Sequence, residues 1–214
     1  MGQIEIVDPR GALRVEDRPL AARGGRLGGT RIGFLSNKKA NATLLLAEIE
    51  ALLRQRLGDF EAVRGEKGAA VPAPPELVAQ LESCSAVLTA MADCGSCTSW
   101  SLHDAVFFED KGIPSVLLCS DEFAPLARAE SVAKGMSGLP LAVVPHPVAD
   151  NSPQEIRVKA QSIADEVIAI LTRPAGELAR EYRPLYHRLA ETRLTRRGAC
   201  LDDACVVDPS GNGA

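Results

Sequence analysis

The chain is built on an alternation that few folds accommodate: short, nearly continuous apolar runs separated by longer stretches of helical period. Arg31-Ile32-Gly33-Phe34-Leu35-Ser36, Ala86-Val87-Leu88-Thr89-Ala90-Met91, Pro114-Ser115-Val116-Leu117-Leu118-Cys119 and Pro140-Leu141-Ala142-Val143-Val144 each read as a strand buried on both faces. Phe60 to Val63 is a weaker strand candidate, and Ile4 to Val7 fits a short edge strand. Between the runs, 42–57 carries Leu45, Ile49, Leu52 and Leu53 on one stripe, with Asn41 placed to cap the helix and Gly58 to stop it. Pro75 opens a helix through Leu81. Ser99 to Lys111 sets Leu102, Val106 and Phe107 at helical spacing, and Glu122 to Ala133 reads as a helix interrupted near Pro125. Pro153 to Leu171 is long and amphipathic, and a last helical stretch runs from Gly176 to about Arg193.

This pattern predicts an α/β protein with a doubly wound, mostly parallel sheet, flavodoxin- or Rossmann-like, helices on both faces and an extra C-terminal helix. In such sheets the working edge lies beyond the carboxyl ends of the strands, where the strand order reverses. For the order 2-1-3-4-5 that point falls between the first and third strands. It sets the turn Asn37-Lys38-Lys39-Ala40-Asn41 beside the turn after Met91. The chain divides into a leader and loop over 1–29, an α/β catalytic domain over 30–172, a helical extension over 173–195 and a mobile tail over 196–214.

The turn after the third strand holds Asp93-Cys94-Gly95-Ser96-Cys97-Thr98-Ser99-Trp100. A Cys-x-x-Cys between a strand and a helix start has a physical use. Unpaired N–H groups and the positive end of the helix dipole favour thiolate over thiol. The two sulfurs are close enough to bond to each other. Cys94 sits nearer the strand end and is the candidate nucleophile; Cys97 is the candidate resolver. The same pair is also half of a zinc site, but the only second pair, Cys200 and Cys205, lies in the tail. No metal and no cofactor are therefore expected, and no glycine-rich phosphate fingerprint is present.

Around the pair, His103 is either a base or a helix-face histidine, and Asp93 either points away or accepts a proton. Asn37, Asn41, Asp93, Ser96, Thr98, Ser99, Trp100, Cys119 and His146 are the candidate substrate contacts. Cys119 also fits a small buried hydrophobe, as does Cys84. His146 fits a turn residue equally well. Lys38 and Lys39 either attract an anionic substrate or simply solvate the turn, and Tyr186 and His187 read as surface or packing groups.

With 46% apolar and 24% charged residues, the 214-residue chain can bury a core without staples. A net charge of −4 and an aromatic content of 4% argue against a nucleic-acid partner. No targeting segment or bilayer-length apolar stretch is visible, so a cytoplasmic protein is expected, with its six cysteines mostly reduced.

The segment Asp93-Cys94-Gly95-Ser96-Cys97-Thr98-Ser99-Trp100-Ser101-Leu102-His103-Asp104 resembles the motif of the UGSC-like proteins, named for selenocysteine-Gly-Ser-Cys. The resemblance extends to Ile32–Asn37 with Lys39-Ala40-Asn41, to Lys111-Gly112-Ile113-Pro114, and from Leu139-Pro140 to Pro145-His146-Pro147. It covers about residues 4–171. It implies that Cys94 occupies the selenocysteine position, where nucleophilicity or redox activity matters. More distantly, the pattern is similar to selenoprotein subunits of glycine and proline reductases, whose selenolate attacks carbon during reductive cleavage. This chain has Cys at that position, which implies a less reactive group.

Three functions fit these observations. The first is a thiol-dependent redox enzyme acting on a small molecule, with a thioredoxin- or glutathione-like reductant; a relay through Cys200 and Cys205 would belong to it. The second is a non-redox cysteine-nucleophile enzyme, a lyase, isomerase or transferase, with His103 or His146 moving protons. The third is a metal- or ligand-binding subunit of a larger reductase. The sequence leaves a homo-oligomer open.

Overall fold

The computed structural model describes residues 16–185. The leader's strand candidate at Ile4–Val7, the pair Tyr186/His187, and Cys200 and Cys205 lie outside the described residues. Five strands alternate with helices: β1 (Arg31–Ser36), α1 (Ala42–Leu57), β2 (Glu61–Glu66), α2 (Pro75–Leu81), β3 (Ala86–Ala92), α3 (Gly95–Asp110), β4 (Ser115–Ser120), α4 (Ala124–Ala133), β5 (Leu141–Val144) and α5 (Pro153–Thr172). A further helical segment runs over 175–185. The sheet is all parallel in the order β2-β1-β3-β4-β5. The chain therefore adopts the expected doubly wound α/β class, and of the doubly wound orders the sequence left open it takes the flavodoxin-like one.

Neighbouring residues of β1 feed opposite faces, as the two-residue period of a strand requires. Phe34 joins the core shared with α1 and α5, whereas Leu35 joins a smaller cluster with Leu77, Leu81, Val87 and Phe108 beneath α2 and α3. The backbone of β2 comes close to α2: a Cβ on Gly65 would lie 2.2 Å from Leu77 Cδ1. β2 is longer than the Phe60–Val63 reading because its polar residues pair with β1 along the whole of that strand. Edge position, rather than an apolar run, makes it a strand.

Other element bounds also shift for identifiable reasons. α4 begins at Ala124 with Pro125 in its first turn, so this proline opens the helix and does not interrupt it. Asn41 occupies the N-cap position of α1 in the left-handed region, φ 65°, and makes no side-chain cap. Its amide instead donates to the carbonyls of Val148, Ala149 and Asn151, tying the start of α1 to the loop before α5. α5 carries the full capping box, Ser152 with Glu155.

The segments flanking the α/β unit share its core. Leu20 and Leu27 of the N-terminal segment, and Leu178 and Tyr182 of the last helix, are buried in the main cluster. Arg23, in the leader and loop of the sequence reading, has its side chain fully buried against the Glu109 carboxylate. Glu109 also accepts from the N–H groups of Ala21 and Ser115. No helix among the described residues is long and apolar enough to cross a membrane.

A thiol pair and its lysine at the switch point

α3 starts at Gly95, four residues before the expected Ser99. Gly95, Ser96 and Thr98 have weak helix propensity, which hides the start in the sequence. Tertiary contacts override it: Cys97 and Thr98 are buried, and both the N–H and the hydroxyl of Thr98 donate to Cys94 O, at 2.9 and 2.6 Å. Cys94 thus becomes the N-cap, in extended conformation, and Cys97 falls in the first turn. Cys94 is half-buried; Cys97 is only 3% exposed.

The turn after β1 sits beside this pair, as the strand order requires. Asn37 is fully buried; its N–H donates to Ala90 O, and its amide donates to Met91 O and Ser101 Oγ. Lys39 reaches across and pairs with Asp93, Nζ to Oδ1 at 2.9 Å. Donor atoms of Asp93, Cys94 and Cys97 all lie within 4.8 Å of one another. The result is one carboxylate, one ammonium and two thiols gathered at the carboxyl edge of β1 and β3.

Their electrostatics separate the two sulfurs. Burial opposes ionisation of Cys94, but it is outweighed by hydrogen bonds from the Cys97 thiol and the Cys97 N–H, the Lys39 charge and the Ser96 hydroxyl. The net effect holds the Cys94 thiol below its ordinary range. Cys97 goes the other way: burial, its hydrogen bond to Cys94 and the Cys94 negative charge push it up to about 12. For Lys39, burial favours the neutral amine, but the hydrogen bond and charge of Asp93, then the charges of both cysteines, raise its pKa. Of the two thiols, Cys94 is therefore the one that ionises more readily, and Cys97 the one that keeps its proton and donates to it.

The remaining candidates sort by position. Ser96 is exposed and bonded to Cys94. Thr98 locks the helix start, and Ser99 donates to Gly95 O and to the Glu130 carboxylate of α4. Trp100 packs edge-on against His103, ring centres 5.7 Å apart. His103 lines a separate hollow with Arg18, Val106, Phe107, Asp110 and Lys134, and the structure does not gather it with the cysteines. Cys119 is wholly buried at the end of β4, its thiol raised to about 12 by burial. His146 stands exposed at the same sheet edge, with Nδ1 3.2 Å from Ser120 Oγ and its N–H donating to Asp121. Asn37 and Asn41, read as substrate contacts, have their amide donors engaged by protein groups and act as braces between segments. A hollow of about 320 Å³ beneath α1, bounded by Phe34, Thr43, Leu46, Glu50 and Arg64, contains no cysteine.

The sequence reading left Lys39 between attracting an anionic substrate and solvating the turn, and it did not single out Glu130. Lys39 had a signal, a lysine in the turn that the strand order places beside the cysteine turn. Glu130 had none, because helix-to-helix pairing in three dimensions leaves no local mark.

A model of the UGSC family matches residues 5–173. The chain belongs to the UGSC family. The matched region spans both turns of the site, all five strands and α5, and stops just before the helix at 175–185. No curated protein matches the chain.

Proposed function

We propose that this UGSC family member is a thiol-dependent enzyme that carries out a two-electron reduction of a small molecule, with Cys94 as nucleophile and Cys97 as resolver. The observation that carries this reading is two adjacent, hydrogen-bonded thiols pushed in opposite directions, Cys94 lowered and Cys97 raised to about 12. A buried, protonated thiol hydrogen-bonded to the nucleophile's sulfur stands where a resolving thiol must stand.

In this mechanism the Cys94 thiolate attacks the electrophilic atom of a substrate R–Y. A sulfur–R bond forms, the R–Y bond breaks, and Y leaves with the electron pair and takes a proton. Forming the adduct removes the negative charge on Cys94, which after burial and the hydrogen bond to Cys94 helps hold the Cys97 thiol up. Cys97 then releases its proton to water or to the neighbouring Asp93 carboxylate and attacks Cys94 Sγ. The sulfur–R bond breaks and R departs with its electron pair, taking up a proton. The balance is R–Y plus two thiols giving R–H, Y–H and one disulfide. A thioredoxin- or glutathione-like thiol supplies the two electrons that restore the pair. Ser96, beside Cys94, and His146, exposed after β5, are the groups available to contact R–Y.

The test is the mass of the chain equilibrated at graded redox potentials, resolved to the peptide holding residues 94–97. The reading predicts a reversible loss of two hydrogens in that peptide, absent in Cys94→Ser and in Cys97→Ser. If Cys94 is modified rapidly but no disulfide forms, Cys94 is a non-redox covalent nucleophile and the reductase reading fails.

A further inference from the structure

The sequence reading set a metal aside for want of a second cysteine pair. The fold supplies a different third donor, Asp93, from the residue just before the motif. Around a tetrahedral ion with metal–sulfur distances of about 2.3 Å, donor atoms sit roughly 3.5–3.8 Å apart. The Asp93 oxygen and the two sulfurs already lie within 4.8 Å of one another. Closing that gap takes side-chain rotations of about 1 Å, without moving the helix start that Thr98 locks.

The same cluster already holds a cation. The Lys39 ammonium sits 2.9 Å from Asp93 Oδ1, and its charge acts on both thiols. Its side chain is 25% exposed, whereas that of Asp93 is 2% exposed. Lys39 therefore enters from the solvent side and can swing out without unpacking the core, while the backbone that carries the three donors stays in place. Two thiolates and a carboxylate form a soft, anionic donor set of the kind that selects thiophilic ions over magnesium or calcium.

We propose that Asp93, Cys94 and Cys97 form a three-donor site for a thiophilic divalent cation, zinc or cadmium in type, that competes with the Lys39 ammonium and silences the thiols while bound. Both sulfurs bind as thiolates, and the proton that Cys97 carries goes to solvent. The fourth position faces the solvent side that Lys39 vacates, so the ion can enter and leave. This inference rests on the proposed reading of Cys94 and Cys97 as free thiols of one site, and it adds a means of regulating them.

The test titrates the reduced full-length chain with Cd²⁺ alone, following thiolate-to-metal ultraviolet absorbance. A Cys200→Ser/Cys205→Ser background removes any signal from those thiols. The expected result is one ion per chain with two thiolate ligands, and protection of Cys94 from alkylation. Asp93→Asn weakens binding about ten-fold or more, and Lys39→Met tightens it by about the same factor. The Lys39 variant guards against misfolding as an explanation, since a damaged site does not bind more tightly. Binding by Asp93→Asn equal to wild type, no gain in Lys39→Met, or an absence of thiolate absorbance would each overturn the proposal. The redox reading is decided separately. Disulfide formation without Cd²⁺ binding removes only this inference, and Cd²⁺ binding without disulfide formation removes only the reductase reading.

Discussion

Two lysine–aspartate pairs join the turns after β1 and β2 to the β3–α3 segment, and they do opposite things. Lys67 and Asp104 are sealed, with side chains 1% and 4% exposed and Nζ 2.5 Å from Oδ2. Lys67 donates also to Val71 O, and Asp104 accepts from the Ala73 N–H, so this pair stitches the loop between β2 and α2 to the flank of α3. Lys39 and Asp93 form the same ion pair one strand over, yet Lys39 is reached by water and looks onto two sulfurs. The difference is surroundings, not chemistry. A salt bridge enclosed by protein acts as a fastener. One that borders a thiol at a solvent-facing helix start favours that thiol's ionised form.

Breaking each pair separates these roles. Asp104→Ala leaves the Lys67 ammonium buried without its partner and should destabilise the chain by about 3–5 kcal/mol, read by denaturant unfolding. Its intrinsic Cys94 reactivity, measured while folded, should stay near wild type. Lys39→Met should cost less, roughly 1–2 kcal/mol, because water can take the lysine's place beside Asp93. Its main effect is on the thiol. With the lysine charge gone, the Cys94 pKa rises, and alkylation at neutral pH should slow about ten-fold. A Lys39→Met variant that loses stability as severely as Asp104→Ala, with unchanged thiol reactivity, would erase the distinction. The smallest effect belongs to Cys119→Ala. Cys119 lies on the neighbouring strand with its thiol pushed up to about 12, so its loss should cost about 1 kcal/mol and leave Cys94 reactivity unchanged.

The fold was legible where burial on both faces made strands into apolar runs, as in β1, β3, β4 and β5. It was harder to read at β2, whose charged residues sit on an edge and become a strand only through pairing with β1. The site was legible as two turns brought together by strand order, and the contact between Lys39 and Asp93 bears out that placement. The roles within it depended on where α3 begins. With the start at Ser99, His103 looked like a neighbour of the cysteines. With the start at Gly95, His103 lies six residues past Cys97, roughly 240° around the helix, and faces another hollow. The asparagines misled for a related reason. Polar residues at a working edge suggest ligand contacts, but here buried backbone carbonyls at Met91 and before α5 needed donors first.

The central claim is that Cys94 is the activated thiolate, and the rate of iodoacetamide alkylation of each cysteine against pH, read by peptide mass, tests it most directly. Thiolate is the reactive form, so reactivity falls as pH drops through the thiol's pKa. A pKa held below the ordinary range keeps Cys94 reactive at pH values where an ordinary thiol is nearly silent. The account predicts a Cys94 profile with a midpoint below the usual thiol range, shifted upward in Lys39→Met. Cys97 and Cys119 should stay unreactive in the folded chain until strongly alkaline pH. A Cys94 profile that coincides with an ordinary thiol and does not respond to Lys39→Met would contradict it.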